Sequence, residues 1–112
     1  MKSEKVYTQT ILQAVSKIES FTVGLDKPAF LESSISQSAV IMQLIFIGEL
    51  AKKISEQTRL KIDLPWQKII GLRNMATHEY MNLELDQIWD TIKTNIPELK
   101  EKLENYQKTL HI

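Results

Sequence analysis

The chain has 112 residues, with 14 Lys and Arg against 14 Asp and Glu, and no cysteine. At 43% hydrophobic and 25% charged residues it is too apolar to be a disordered chain, and it is long enough to bury a core of its own. The lack of cysteine excludes disulfide frameworks, thiolate zinc sites and cysteine nucleophiles. A formal net charge of zero argues against a protein that coats nucleic acid by bulk electrostatics.

Two helices are predicted at the start of the chain. Apolar residues recur every three or four positions between residues 6 and 21, which is the spacing of one helix face: Tyr7, Ile11, Ala14, Val15 and Ile18. We expect this helix to end near Gly24. Asp26 and Pro28 then supply a helix cap and a proline suited to a first turn, so we predict a short helix over residues 27–32.

A second long helix is predicted from a cap at Ser33 or Ser34 to about Glu56. Its centre, residues 40–47, is apolar almost all round, and such a helix must be covered on more than one side. Either the helix is central in the bundle, or part of it is buried between copies of the chain. The longest apolar run, residues 39–47, is interrupted by Gln43 and is too short to span a membrane, and the polar start MKSEKVYTQ is unlike a signal peptide. We therefore expect a soluble cytoplasmic protein with no membrane partner.

Two further main helices are predicted in the second half. Residues 58–63 are expected to form a connecting loop, and Pro65 suits the first turn of a helix running from residue 64 to about His78. The last segment has apolar residues alternately four and three positions apart, and this seam continues across Pro97: Leu85, Trp89, Ile92, Ile96, Leu99, Leu103, Tyr106 and Leu110. Pro97 should kink or restart the helix without changing its buried face. The predicted fold is all-α, an antiparallel bundle of four main helices plus a short additional helix, in one domain over residues 1–112.

The third main helix is predicted to end in a group of polar and aromatic side chains, Arg73-Asn74-x-x-x-His78-x-Tyr80. Asn74 and His78 are four positions apart and share a helix face, so the amide can hold the imidazole in one orientation. The Cα of Arg73 lies off that face, but its long side chain can reach toward the ring. Alternatively, an arginine and a histidine at a helix end serve only to satisfy the last carbonyls, and spacing alone does not separate these interpretations.

These side chains would suffice to cleave RNA without a metal. Internal cleavage needs a base for the proton of the 2′-hydroxyl, an acid for the leaving oxygen, and a cation for the charge that gathers on the phosphate. Histidine exchanges protons near neutrality, and guanidinium binds phosphate in bidentate fashion. We therefore expect neither a metal nor a cofactor.

Residues 62–80, with the sequence IDLPWQKIIGLRNMATHEY, resemble the signature of the HepT-like branch of the HEPN superfamily, and residues 47–53 resemble its second-helix segment. Members of that family are small all-helical ribonuclease toxins of type VII toxin–antitoxin systems, paired with a minimal MntA-like nucleotidyltransferase antitoxin. The resemblance, which covers essentially the whole chain, implies that Arg73 and His78 are the catalytic pair and Asn74 their polar support. It implies that the antitoxin modifies the hydroxyl of Tyr80 with AMP. It also implies a homodimer in which two copies of the motif face a shared cleft.

Positive charge is concentrated just before and within this motif. Residues 51–78 carry six cations and two carboxylates, whereas the segments on either side are net acidic. The cations that precede Arg73 are candidates for binding RNA: Lys52, Lys53, Arg59, Lys61 and Lys68. A solvated face without a ligand is an equally good interpretation.

The sequence therefore leads to two functional hypotheses. The first is a metal-independent endoribonuclease toxin that cuts RNA through His78 and Arg73. The second is a noncatalytic helical accessory subunit that binds substrate or nucleotide for a nucleotidyltransferase. The two differ in whether the chain itself cleaves RNA.

Overall fold

The computed structural model describes residues 2–82 and 84–110, and it contains no strand within these two ranges. The first helix, α1, spans Lys2–Thr22 and ends in a turn at Gly24, whose φ of 77° lies in the left-handed region that favours glycine. The short helix α2 spans Lys27–Glu32, and Asp26 caps it by accepting a hydrogen bond from the backbone N of Ala29 at 3.0 Å. Both predicted helices are confirmed.

The third helix, α3, spans Ser34–Lys53 and is the central helix of the bundle. It begins at a cap formed by Ser33 and ends before the predicted Glu56. On one side it packs against α1, and on another against α5 (Trp66–Ile70) and α6 (Leu72–Met81). Its fully buried side chains lie along its whole length: Val40, Leu44, Ile47 and Ala51. The apolar centre of this helix is therefore explained by burial on two sides.

One face of α3 is nevertheless exposed and apolar. Ile35, Met42 and Phe46 have exposed fractions of 83%, 49% and 48%, and we call these three residues the α3 apolar face. By length and composition alone α3 could cross a membrane. In the structure it packs among the other helices as the core helix of a globule.

The predicted loop over residues 58–63 is wrong in its first half. A short helix, α4, spans Glu56–Leu60 because Ser55 caps it by accepting from the backbone N of Thr58 at 3.2 Å. The buried Glu4 carboxylate of α1 also accepts from Ser55 N at 2.7 Å and from Thr58 Oγ1 at 3.3 Å. Burial raises the pKa of Glu4, but these hydrogen bonds outweigh burial, and the pKa lies below its ordinary value.

The third predicted main helix is divided into α5 and α6 at Gly71. The division is slight, because Gly71 keeps φ of −73° and ψ of −6° and its carbonyl accepts from Met75 N at 2.9 Å. Trp66 is buried at the start of α5, and its Nε1 donates to the carbonyls of Arg59 and Ile62 at 3.1 Å. Since α6 extends to Met81, beyond the predicted end, residues 73–80 all lie on one helix.

The last predicted helix consists of α7 (Leu85–Asp90), a π-helical turn (Thr91–Asn95) and α8 (Ile96–Thr109). Pro97 lies in the first turn of α8. Its ring would crowd the carbonyl four residues earlier in a regular helix, and the wider π-helical turn gives the ring room. Five residues of the predicted seam are buried on both sides of Pro97: Trp89, Ile92, Ile96, Leu99 and Leu103. Leu85 and Tyr106 are partly buried against the core, whereas Leu110, which was predicted to continue the seam, is 37% exposed at the end of the helix. The predicted all-α class is confirmed.

Candidate active site

Helix α6 carries the predicted motif on two faces. Arg73, Thr77 and Tyr80 are spaced by four and three positions, so they share one face. Asn74 and His78 lie four positions apart on another face. Leu72 and Ala76 are buried and attach the helix to the core. This arrangement decides which side chains of the motif can meet within one chain.

Two side chains hold Arg73. Its Nε lies 2.9 Å from Oε1 of Glu49 on α3, and its Nη1 donates to Oδ1 of Asn74 at 3.5 Å. The side chains of Arg73 and Glu49 are 56% and 48% exposed. The guanidinium is therefore oriented at the protein surface, where a substrate can reach it.

His78 is exposed, and the amide of Asn82 lies beside its ring. The Nδ2 atom of Asn82 is 3.3 Å from Nδ1 and 3.4 Å from Nε2 of His78, and it donates to the His78 carbonyl at 2.8 Å. The predicted contact between Asn74 and the imidazole is therefore replaced: Asn74 supports Arg73, and Asn82 lies against the ring. Sequence reasoning missed Asn82 because the helix was predicted to end at His78, although Asn82 follows His78 at the same four-residue spacing.

The predicted catalytic pair is not joined within one chain. In residues 2–82 and 84–110, no hydrogen bond links Arg73 to His78, because the Arg73 side chain contacts Glu49 and Asn74 instead. Tyr80 lies on the Arg73 face with 36% of its surface exposed, and its hydroxyl forms no hydrogen bond within these ranges. Tyr80 is therefore a partly exposed tyrosine on the same helix face as Arg73.

Glu79 is a titratable group at the motif that sequence analysis missed. A side-chain hydrogen bond with Glu84 raises the pKa of Glu79, burial and the charge of Glu84 raise it further, and His78 opposes the shift. Its Oε2 atom is buried and has no hydrogen-bond partner in the part of the chain that the structure describes. The nearness of two carboxyls across the end of α6 could not be read from their spacing alone.

The predicted RNA-binding cations lie in several different surroundings. Arg59 caps the end of α3, because its Nη2 donates to the carbonyl of Ala51 at 3.2 Å and to that of Lys52 at 3.1 Å. Lys53, Lys61 and Lys68 line three different grooves, and Lys52 is exposed at the last turn of α3. Contact between these lysines and RNA stays a prediction.

Two of these grooves flank the motif. One of about 480 Å³ lies between α5 and α6 on one wall and the segment from α7 to α8 on the other, and Met75 and Gln87 line it. Another of about 320 Å³ lies between α1 and α3 and is lined by Lys17, Phe46 and Glu49. The second groove therefore reaches the carboxylate that binds Arg73.

The all-helical fold, with an arginine, a histidine and a tyrosine exposed on α6, is that of an HEPN-type ribonuclease. The family model described as Ribonuclease HepT-like matches residues 11–106, and the chain belongs to that family. The protein is therefore an endoribonuclease.

Comparison with individual proteins agrees with this assignment. The chain is 35% identical over 108 residues to the protein named "Probable ribonuclease HepT" of Thermococcus cleftensis, a match that covers 96% of this chain and 98% of that one. It is 30% identical over 101 residues to MJ1380 of Methanocaldococcus jannaschii, named as a candidate RNase, covering 89% and 93% of the two chains. No solved structure matches.

Proposed function

We propose that the protein is a cytoplasmic ribonuclease toxin that cuts RNA without a metal, using His78 for proton transfer and Arg73 to bind the phosphate. The observation that carries this proposal is the exposure of both side chains on α6 of a HepT-like ribonuclease. An exposed imidazole can reach a substrate, and a guanidinium keeps its positive charge at every physiological pH. The orientation of Arg73 by Glu49 supports the proposed phosphate-binding role.

The proposed reaction is an internal transfer at phosphorus. The 2′-hydroxyl oxygen attacks the adjacent phosphorus, and the bond from phosphorus to the 5′-oxygen of the next nucleotide breaks. The products are a 2′,3′-cyclic phosphate and a 5′-hydroxyl. One group must accept the proton of the 2′-hydroxyl while another gives a proton to the departing oxygen. One His78 can fill one of these roles at a time, and two copies of His78 facing one cleft, as the family resemblance implies, would supply both.

A homodimer would bring two motifs to such a cleft, and the α3 apolar face supports it. Met42 and Phe46 are four positions apart and Glu49 follows after three, so the face leads along α3 toward the contact with Arg73. Covering Met42 and Phe46 with the same surface of a second copy would remove apolar area from water. A twofold axis along this face would place two Arg73 side chains near each other.

We further propose that an MntA-like nucleotidyltransferase antitoxin inhibits the protein by transferring AMP to Tyr80. The Tyr80 oxygen would attack the α-phosphate of ATP, forming a tyrosyl phosphodiester and releasing pyrophosphate. The exposed position of Tyr80 on the Arg73 face supports this role. The added phosphate would compete with RNA phosphate for the guanidinium, and the added nucleoside would obstruct the approach to α6.

Cleavage of single-stranded RNA in the presence of EDTA tests the proposed activity. The parent protein should produce cyclic phosphate ends, and His78→Ala and Arg73→Ala should each lower the rate by about 100-fold or more. His111→Ala, which removes the other histidine of the chain, is the matched control and should cleave at the parent rate. Equal cleavage by His78→Ala and the parent would refute the assignment.

Expression without the antitoxin separates the two hypotheses raised by the sequence. A toxin should arrest growth, and both His78→Ala and Arg73→Ala should relieve the arrest. Harmless expression of the parent chain would instead support the noncatalytic accessory subunit.

A further inference from the structure

An ion pair joins the helix that carries the motif to the central helix of the bundle. The Nε atom of Arg73 on α6 lies 2.9 Å from Oε1 of Glu49 on α3. Both side chains are about half exposed, and exposed pairs of this kind add little to stability. The main effect of this ion pair is therefore on the orientation of the Arg73 side chain, and its effect on the free energy of unfolding is small.

Glu49 occupies one edge of the guanidinium. A phosphate is bound best by two parallel N–H donors, and a guanidinium offers such donors on more than one edge. Glu49 accepts at Nε, and Asn74 makes only a long contact of 3.5 Å with Nη1. With the carboxylate at Nε, the edge formed by Nη1 and Nη2 is the one left for a phosphate.

Gly48, next to Glu49, allows α3 and α6 to approach closely at Arg73 itself. A Cβ at position 48 would lie 2.8 Å from the backbone N of Arg73, 3.0 Å from the carbonyl O of Ile70 and 3.1 Å from Cβ of Arg73. Backbone atoms cannot rotate out of the way, so any larger residue would push the two helices apart. The distance that lets Glu49 reach Arg73 therefore depends on glycine at position 48.

We propose that Glu49 is a positioning residue for RNA cleavage, which directs the Nη1 and Nη2 edge of Arg73 to the scissile phosphate, and that Gly48 maintains the helix spacing this contact requires. The inference rests on the proposed phosphate-binding role of Arg73. A carboxylate near the phosphate repels RNA while it aligns the cation that stabilises the transition state. Glu49 should therefore raise kcat without improving substrate binding.

Steady-state cleavage by Glu49→Gln tests the proposal. The value of kcat should fall about tenfold to a hundredfold because the phosphate-binding edge is misplaced, while KM stays equal or falls. Glu49→Asp, which keeps the charge, should restore part of the lost kcat relative to Glu49→Ala. Glu19→Gln is the matched control, since Glu19 forms a similarly exposed pair with Lys100 at 3.0 Å, and it should cleave at the parent rate.

A double-mutant comparison separates positioning from a purely structural role. In single-turnover reactions of the Arg73→Ala protein, adding Glu49→Gln should cause no further loss, because Glu49 acts only through Arg73. Gly48→Ala should lower kcat in the same way as Glu49→Gln. If Arg73→Ala abolishes cleavage but Glu49→Gln keeps the parent kcat, the positioning role is wrong. If Arg73→Ala itself cleaves at the parent rate, the proposed function fails.

Discussion

The side-chain amide of Asn82 lies against both ring nitrogens of His78, 3.3 Å from Nδ1 and 3.4 Å from Nε2, and it also donates to the His78 carbonyl at 2.8 Å. This amide therefore joins the imidazole to the end of α6. Asn82→Ala should lower kcat about threefold to tenfold, the scale of one lost hydrogen bond, because the ring loses its orientation. Cleavage rates at saturating RNA measure the effect. Asn105→Ala, at an exposed asparagine of α8, is the control, and parent kcat in Asn82→Ala would contradict the prediction.

Tyr80→Phe should prevent inhibition without preventing cleavage. The substitution removes the hydroxyl proposed to accept AMP, while a change at a surface aromatic should alter the RNA cleavage rate by about twofold at most. Intact mass after incubation with the nucleotidyltransferase and ATP shows whether AMP has been added. Tyr106→Phe, at a partly buried tyrosine packed on the core, should still be modified. Undiminished AMP addition to Tyr80→Phe would rule out Tyr80 as the acceptor.

Phe46→Glu should break the proposed dimer. A charge in the α3 apolar face would be buried against the second copy, so the dissociation constant should rise about tenfold or more, and cleavage should fall with it. Sedimentation over a range of protein concentrations measures the dissociation constant. Leu60→Glu is the control, since Leu60 is 85% exposed on α4, outside this face. A parent protein that sediments as a monomer, or a Phe46→Glu protein that remains dimeric, would disprove the interface.

Glu4 should make stability depend on pH. Its pKa is lowered in the folded protein, so its contribution to stability is present above the unfolded pKa, near 4.5, and is lost as the pH falls through the folded pKa. Glu4→Gln should lower the free energy of unfolding by about 1–2 kcal/mol at pH 7. The difference from the parent should shrink as the pH falls below the unfolded pKa, near 4.5. Urea unfolding across this range measures it. Glu32→Gln, at an exposed glutamate of α2, should show no such dependence; a difference for Glu4→Gln that stays constant into acid would contradict the prediction.

The sequence was most informative where structure follows local periodicity. The seam across Pro97 was predicted as far as Leu103 because those residues pack on the same core, whatever turn the backbone makes at the proline; Leu110, at the end of α8, is exposed. Helix α4 was missed because its start is fixed partly by Glu4, which is 51 residues from Ser55 and whose contact no local spacing indicates. Long-range hydrogen bonds of this kind become visible only in the folded chain.

The same distinction applies to the candidate site. The sequence located Arg73, His78 and Tyr80, and the structure places all three on one helix with exposed side chains. The sequence alone could not predict that Arg73 binds Glu49, because that contact depends on how closely α3 and α6 pack. Arg59 illustrates the converse, since a cation chosen by its position in a basic segment donates to backbone carbonyls instead.

The order of helices along the chain has a consequence for synthesis. The central helix α3 is covered on one side by α1, which the ribosome makes before it, and on another side by α5 and α6, which are made after it. A nascent chain whose α3 has left the ribosome, while α5 and α6 have not, therefore exposes the apolar surface that these two helices later cover, and such surface recruits chaperones or aggregates. The interval between the emergence of Lys53 and that of Met81 from the ribosome is thus one in which the newborn protein needs protection.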